Sequence, residues 1–571
     1  MDDSSQNQRL MLAALLCLGV LAGWGVLFPQ PKKPPKPAPS VQAPAVAGST
    51  QIAGSTQSAT VAFVKTATVA PTAPVEPKKT DFSGQVVAHP EQPAIPFFVS
   101  FTNVGGGIAS FTIPSYKERD ASNRPTSDPI QLAFDDQPQD GRMAGISLLD
   151  GSTFTLPPSA TFEIVETKAD GVVYRYVTHE GVTIEREWRV SKDSFELEHA
   201  ITIKNTSAAP QKHRLAIQAA LERKGATAAS GFLFIPPPDN LNASCYADGK
   251  VHRNLQTSLV GKIESYSEGV RWAAIERQYF LASLVLRDVA DARCELSAKG
   301  SIATSKLVLP LVELRPGEER RHKLTAFLGV KKPELLTRAN ADLESAVDYT
   351  ILGLDLSLLC QLLLKILGLI HGFTGSWGVA ILGLTVLVKL VLFPLNQRAG
   401  RNMKAMADIK PELEKAQAKF PNDRQRLAEE QMRLYKEHGV NPASGCVPIL
   451  LQMPIWFALY RALWVSVDLY QQPFLWIPDL TARDPYWILA VALVVQMFLQ
   501  QKLTPTTMDP AQQKMMLYLM PALFGGMMAV LPAGLAFYML VNGLLTILQQ
   551  QFINKTIRPN PGPTPPSGAT A

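Results

Sequence analysis

The sequence predicts a polytopic α-helical membrane protein, with six spans, joined to a large antiparallel β-sandwich domain. Long apolar runs follow residue 350, whereas residues 81–347 alternate apolar with polar side chains. The 571 residues are 46% hydrophobic and 18% charged, with a mean hydropathy of +0.05, which lies between soluble and membrane proteins. The net charge of +6 is modest for this length and no basic run is interleaved with aromatic residues, so the sequence does not indicate nucleic-acid binding.

The amino-terminal region 1–28 contains an apolar segment, residues 10–28. Leu16 precedes Cys17, where a lipoprotein signal carries Gly or Ala, and no A-x-A-like cleavage site closes the segment. We therefore expect an uncleaved membrane anchor. Residues 29–80 are rich in Pro, Ala, Ser, Thr and Lys, a composition that cannot bury a core, so they are predicted to form a flexible linker.

Residues 81–347 are predicted to form one antiparallel β domain. The segments GVVYRYVTHEG, VTIEREWRV and FELEHAITIKN alternate large apolar residues with polar ones. Turn residues separate these segments, at Asp170-Gly171, Glu180-Gly181 and Lys192-Asp193. A domain of this length and pattern is expected to be a β-sandwich.

The β domain shows no catalytic, metal or nucleotide motif, and no cofactor is predicted for the chain. Gly105, Gly106 and Gly107 lack the Lys-Ser/Thr of a phosphate loop, which predicts a turn or bulge. Cys245 and Cys294 could pair if the domain faces an oxidising compartment, and the sequence leaves this open. The histidines have no ligand or triad spacing and are expected at the surface: His179, His199, His213 and His252.

The apolar runs return after Asp348. Within segment 348–375, the run 351–370 carries polar residues on one arc, which favours a helix in the membrane interface, although composition alone leaves a spanning helix open. A membrane core follows at 376–555, and the tail 556–571 is predicted to be disordered. The predicted spans of the core, which make six with the anchor, are 377–395, 446–467, 486–500, 515–530 and 532–550.

The orientation follows from the distribution of positive charge. Segment 396–445 carries ten Lys/Arg and seven Asp/Glu, whereas loop 468–484 carries three aspartates and only Arg483. The positive-inside rule places 396–445 in the cytoplasm and 468–484 outside. Both termini are then cytoplasmic and the β domain is external. The charges that flank the anchor weakly favour the opposite orientation. The difference in Lys and Arg content between 396–445 and 468–484 is larger, and we base the orientation on it.

Segment 396–445 is predicted to be a helical hairpin. Apolar residues recur at helical spacing from Met403 to Phe420, Pro421-Asn422-Asp423 breaks the run, and a second helix ends before Gly439. The hairpin is either a solvated connector or a mobile surface that receives a partner or substrate. Its methionines suit an adaptable binding surface.

Lys389 lies inside the first span of the core, WGVAILGLTVLVKLVLFPL. A charge at the centre of a spanning helix costs about 2.5 to 3.5 kcal/mol, so the ammonium requires water, a partner or a route to the interface. The side chain could snorkel toward the end of the helix near Arg398. We favour the alternative, a wet functional cavity within the membrane.

Three long motifs resemble the YidC family of membrane-protein insertases. They are LYKEHGVNPASGCVPILLQMPIWFALY (434–460), WIPDLTARDPY (476–486) and LPAGLAFYMLVNGLLTILQQQFI (531–553). The resemblance covers about 348–555 and implies a five-helix insertase core. The anchor, linker and β domain resemble the Gram-negative members, as do RWAAIERQYF (271–280) and GVKKPELL from Gly329. The latter motifs imply a periplasmic β-supersandwich of galactose-mutarotase likeness.

The resemblance implies a hydrophilic groove that is open to cytoplasm and lipid and carries one cation. That cation is usually Arg and is Lys389 here, which keeps the charge but loses the planar fork for carboxylates. Thr385 matches a groove position, and Tyr538 matches a substrate-contacting aromatic residue, although its neighbour, often a second Tyr, is Met539. Gln452 and Asn542 are polar residues within spans, which either line the groove or form hydrogen bonds between helices.

The implied function is the insertion and folding of integral membrane proteins, without enzymatic catalysis or nucleotide hydrolysis. The implied partners are nascent membrane proteins, the lipid bilayer, the Sec translocon, and the ribosome or targeting factors. The implied location is the cell inner membrane. A secondary transporter would also place a cation near the midplane, but the spans show no internal repeat. A membrane-anchored sugar-active enzyme lacks a supporting carboxylate or histidine constellation.

Overall fold

The computed structural model describes residues 77–88, 93–120, 125–134, 141–222, 240–288, 291–351, 353–420, 423–439, 447–503 and 513–556. The predicted anchor 10–28, residues 29–76 of the predicted linker and the tail beyond Thr556 lie outside the described residues. The first strand begins at Lys79, so the last two residues assigned to the linker belong to the β domain.

The strands, numbered in chain order, form three larger antiparallel sheets and two short pairs. The four-stranded sheet contains β1 Lys79–Val86, β2 Ile95–Thr102, β3 Gly107–Arg119 and β4 Pro125–Ala133. The nine-stranded sheet runs through β13 Lys250–Leu255, β12 Asn242–Ala247, β15 Trp272–Glu276, β16 Phe280–Leu286, β20 Glu319–Val330, β9 Glu196–Asn205, β8 Val182–Val190, β7 Gly171–Val177 and β6 Glu163–Lys168. The five-stranded sheet runs through β14 Ile263–Tyr266, β17 Arg293–Lys299, β18 Ile302–Val308, β11 Leu215–Glu222 and β5 Gly145–Leu148. The pairs are β10 Gln211–His213 with β19 Val312–Leu314, and β21 Thr350–Ile351 with β22 Leu354–Asp355.

The antiparallel β domain predicted from alternation is confirmed. In β8, every second residue from Val182 to Val190 is buried and the residues between them are not. Such a pattern places one face of a strand on a core. The five-stranded sheet packs on the nine-stranded sheet through β11, β12, β15 and β18, which gives the two layers of a sandwich.

The expectation that the histidines lie at the surface is wrong for His199 and His213, which are buried. The ring of His199 stacks on Trp188 with 3.7 Å between centroids, and its Nε2 accepts a hydrogen bond from Arg186 Nε at 3.2 Å. Arg186 also donates to the carbonyl oxygen of Gly105 at 2.6 Å. Gly105 has a φ of +74°, so the predicted glycine turn is present and is fixed by this buried arginine.

The helices are α1 Pro333–Ala339, α2 Ser357–Thr374, α3 Trp377–Asp408, α4 Lys410–Lys419, α5 Arg424–Glu437, α6 Val447–Val465, α7 Ile488–Leu503, α8 Met520–Met528 after a π-helical turn at Met515–Leu519, and α9 Ala533–Thr556. The run 351–370, predicted as one helix, contains two kinds of element. The short strands β21 and β22 come first, and the helix begins only at Ser357. The predicted spans 446–467, 486–500, 515–530 and 532–550 correspond to α6, α7, α8 and α9.

The helix that contains the predicted span 377–395 extends into the predicted hairpin segment, because α3 continues without interruption through Pro394 to Asp408, while its apolar part is Trp377–Gln397. Only the second part of the predicted first arm is a separate helix, α4. The hairpin itself is present, since α4 and α5 pack around a small core of Ile409, Leu413, Ala416 and Leu434. Gly439, with a φ of +63°, follows α5 as predicted.

Within the described residues, three segments are long and apolar enough to cross a bilayer: Ser357–Thr374, Trp377–Gln397 and Ala533–Phe552. Two apolar helices are shorter, Ile488–Leu503 and Met515–Met528. Apolar helices and a mostly antiparallel β domain therefore coexist in one chain, as predicted.

Candidate functional site

The five residues singled out from the sequence lie on three helices that contact one another, α3, α6 and α9. Lys389 and Thr385 lie on α3, Gln452 on α6, and Tyr538 and Asn542 on α9. Helix α7 packs against α9. A Cβ atom at Gly543 would lie 2.4 Å from the side-chain amide of Gln496, so the glycine permits this close approach.

Lys389 is half-buried and contacts the last helix. Its Nζ donates a hydrogen bond to Thr546 Oγ1 at 2.8 Å, and Thr546 Oγ1 donates to the carbonyl oxygen of Asn542 at 2.7 Å. In the described part of the chain, no carboxylate lies within 4.0 Å of this ammonium. An ammonium has three donors, and the contact with Thr546 uses one of them.

Thr385 and Tyr538 are buried where the helices pack. Thr385 is 1% exposed and its hydroxyl donates to the carbonyl oxygen of Ile381 at 2.6 Å, one turn earlier in α3. Tyr538 is 2% exposed. Gln452 and Asn542 are half-buried. The structure thus brings Asn542 close to Lys389 through Thr546, while the side chains of Thr385 and Tyr538 belong to the helix contacts.

Met539, which replaces the second aromatic residue expected at this position, contacts α6. Its Sδ accepts a hydrogen bond from Trp456 Nε1 at 2.9 Å. Gln452 lies one helical turn before Trp456, so it faces the same region of the assembly. This contact joins α6 to α9 beside the buried Tyr538.

Sequence reasoning missed three polar residues near the site, Thr546, Gln496 and Gln500. Gln496 is buried and donates to Gln500 Oε1 at 2.7 Å along α7. Both pairs, Asn542 with Thr546 and Gln496 with Gln500, are spaced by four residues, which places each pair on one helical face. Polar residues spaced by four within predicted spans were the sequence signal that could have identified these three residues.

The described residues contain no group of three or more His, Cys, Asp or Glu arranged to hold a metal ion. Cys245, Cys294 and Cys360 are buried and free. The polar groups that the apolar helices offer here are the ammonium of Lys389, the amides of Gln452 and Asn542 and the hydroxyl of Thr546.

Two family models match the chain. The 60Kd inner membrane protein model matches residues 369–560, and the YidC periplasmic domain model matches residues 96–363. A membrane protein insertase YidC of Anaeromyxobacter dehalogenans (strain 2CP-C) is 36% identical over 579 residues, covering 98% of this chain and 99% of that protein. The protein of the same name from Citrifermentans bemidjiense is 32% identical over 571 residues, covering 96% and 99%.

Two solved structures are also similar. A crystal structure of an active YidC insertase with its first transmembrane domain resolved has a TM-score of 0.35 and 18% identity, covering 83% of this chain and 95% of that chain. A galactose mutarotase-like protein from Lactobacillus casei ATCC 334 has a TM-score of 0.31 and 10% identity, covering 43% and 100%. The identities of 36% and 32% to the two bacterial proteins, over nearly the full length of each chain, show that this chain belongs to the YidC family of membrane protein insertases.

Proposed function

We propose that this chain inserts nascent membrane proteins into the cell inner membrane and helps them to fold. It acts alone or with the Sec translocon, and it receives its substrates from ribosomes or targeting factors. The names of its relatives support insertion. The observation that carries the proposal is the half-buried ammonium of Lys389, which lies in an apolar helix and contacts a hydroxyl on α9.

The mechanism is binding followed by partition into lipid. The Lys389 ammonium attracts acidic residues of the segment that must cross, because charges interact more strongly in a medium of low dielectric constant than in water. Thr546 and Asn542 beside it, together with Gln452 on α6, bind water in the groove and shorten the apolar distance that a polar segment of the substrate must cross. The apolar helix of the substrate then enters the lipid through the hydrophobic effect, so nucleotide hydrolysis is not required.

The proposed topology places loop 468–484 and the β domain outside and the hairpin 396–445 in the cytoplasm. Helix α2 lies in the outer interface, and with the anchor the chain has six spans. The exposed surface of α2 supports the interfacial placement. One strip of it is apolar, and polar side chains lie beside this strip. The apolar residues are Leu358, Leu362, Leu369 and Phe373, and the polar ones are Gln361 and Lys365. An amphipathic exposed surface of this kind suits the boundary between acyl chains and headgroups.

The test compares two substrates of one span that differ only in an acidic or a neutral translocated tail. Lys389→Glu should insert the acidic substrate about tenfold more slowly, an effect of roughly 1.4 kcal/mol, and the neutral substrate at the normal rate. Lys389→Arg should retain both activities, since it keeps the charge. Lys365→Glu is the matched control, because Lys365 is an exposed lysine in the apolar helix α2. Normal insertion of the acidic substrate by Lys389→Glu would disprove an electrostatic role.

A further inference from the structure

The loop between α6 and α7 is joined to the β domain by a buried ion pair. Arg119 Nη2, at the end of β3, lies 2.6 Å from Asp479 Oδ2, and the two side chains are 2% and 0% exposed. Arg119 also donates to the hydroxyl of Thr481, and its guanidinium lies 4.3 Å from the centre of the Tyr470 ring. Both partners come from segments that are 360 residues apart in sequence.

Asp479 also organises the loop itself. Its Oδ1 accepts hydrogen bonds from Gln471 N at 3.0 Å, Thr481 N at 2.8 Å and Thr481 Oγ1 at 2.7 Å. The side chain of Gln471 in turn pairs with the backbone of Lys117 in β3, donating to its carbonyl oxygen at 2.8 Å and accepting from its amide at 3.0 Å. One carboxylate therefore fixes the loop and holds it on β3.

The opposite side of the loop contacts the amino-terminal ends of two apolar helices, α9 and α3. The carbonyl oxygens of Ala482 and Leu480 accept hydrogen bonds from Ala533 N at 2.6 Å and Gly534 N at 2.7 Å, at the start of α9. The ring of Phe474 lies 5.1 Å from that of Phe537 on α9. It also packs so closely on α3 that a Cβ atom at Gly378 would lie 2.1 Å from it.

We propose that Arg119 and Asp479 are positioning residues, through which the β domain holds the outer end of α9 in place. The chain of contacts runs from β3 through Asp479 to the backbone of residues 480–482 and on to Ala533 and Gly534. When one partner of a buried ion pair is removed, the other charge is left uncompensated, so this docking depends on both residues. The proposal does not depend on the proposed function, because its test requires no insertion assay.

The test measures amide hydrogen exchange in the full chain in lipid nanodiscs. Local opening of a segment accelerates the exchange of its amides, even where the fold as a whole persists. Arg119→Gln should accelerate exchange at least tenfold both in residues 470–482 and at Ala533 and Gly534. The amides of β9 and β20 should exchange at unchanged rates, which separates loss of docking from unfolding of the β domain.

Arg277→Gln is the matched control. It removes a bidentate pair with Glu118 of β3, with two contacts of 2.7 Å, that lies wholly within the β domain. Both monitored segments should keep their protection in this variant. If Arg119→Gln does not fold, Asp479→Asn gives the same test from the loop side. Unchanged exchange at Ala533 and Gly534, with or without faster exchange in 470–482, would overturn the proposal.

Discussion

The ammonium of Lys389 on α3 lies 2.8 Å from the hydroxyl oxygen of Thr546 on α9, so the cation is held against the last helix. Thr546 donates its own proton to the carbonyl oxygen of Asn542, at 2.7 Å, which turns an oxygen lone pair toward the ammonium. A residue of the last span thereby fixes where the charge of the candidate groove is located.

Replacing Thr546 by Val should impair the insertion of substrates with acidic tails, because it removes the acceptor and keeps the shape of the side chain. Hydrogen bonds to charged groups contribute about 1.5 to 3 kcal/mol. We expect a loss of about threefold to tenfold, since water replaces part of the contact. Thr546→Ser should restore the activity. Equal insertion of acidic and neutral tails by Thr546→Val at the normal rate would contradict a positioning role.

The proposed topology predicts which introduced cysteines react with an impermeant maleimide from outside. Ser357→Cys, at the start of α2, and Ser376→Cys, two residues after its end, should both be labelled, because an interfacial helix keeps both ends on one side. Lys436→Cys, at an exposed position of α5, should be protected and serves as the control. The described native cysteines Cys245, Cys294 and Cys360 are buried and contribute little background. Protection at Ser376→Cys alone would show that α2 spans the membrane and that every later loop lies on the side opposite to the one proposed.

The buried pair His213 and His322 predicts a pH dependence of stability. Their Nε2 atoms are 3.4 Å apart, and burial, with the neighbouring charge of Arg320, lowers the pKa of each to about 4. Between this pKa and the unfolded value of about 6.5, the unfolded chain binds more protons than the folded one. The free energy of unfolding should therefore be highest above pH ~6.5 and should fall as the pH drops toward ~4.

The measurement is the urea concentration at the midpoint of unfolding of the full chain. Circular dichroism monitors the unfolding, and the midpoint is determined across this pH range. His322→Gln removes one of the buried groups that bind a proton only in the unfolded chain, so the slope of the midpoint against pH should decrease. His179→Gln, at an exposed histidine, is the control and should leave the slope unchanged. Identical slopes for wild type and His322→Gln would show that the pair does not control acid stability.

The contact between Gly378 and Phe474 predicts an unusual effect of alanine in a helix. Alanine favours helices over glycine by about 1 kcal/mol, yet a Cβ at Gly378 would lie 2.1 Å from the Phe474 ring. Gly378→Ala should lower stability by about 1 to 3 kcal/mol through overpacking. Gly526→Ala is the control, since a Cβ there meets nothing within 4 Å. The thermal midpoint in detergent checks both, and Phe474→Ala should rescue Gly378→Ala.

Features with a local signature could be predicted from the sequence. The strands β7, β8 and β9 follow the alternating segments, and the turns between them fall at the Gly and Asp residues identified beforehand. Lys389 was conspicuous because a charge within an apolar run is visible without any knowledge of the fold. The antiparallel domain and the apolar helices were accessible for the same reason.

Features created by distant partners could not be predicted. His199 is buried because Trp188 and Arg186 surround it, and nothing in the sequence near His199 indicates this. The Arg119–Asp479 pair likewise joins segments 360 residues apart. The continuation of α3 beyond the first span was not predicted, because hydropathy changes at Asn396 while helix propensity does not. The roles of Thr385, Tyr538, Gln452 and Asn542 in a groove remain predictions.

The uninterrupted helix α3 has a mechanical consequence. Its 32 residues make a rod about 48 Å long that carries Lys389 on one part and leads to the hairpin on the other. Pro394 lacks an amide proton, so the carbonyl group of Leu390 loses its partner in the helical ladder. The most compliant point of the rod therefore lies between the ammonium and the hairpin. Because this point lies beyond Lys389, bending of the rod there would leave the contact between Lys389 and Thr546 in place.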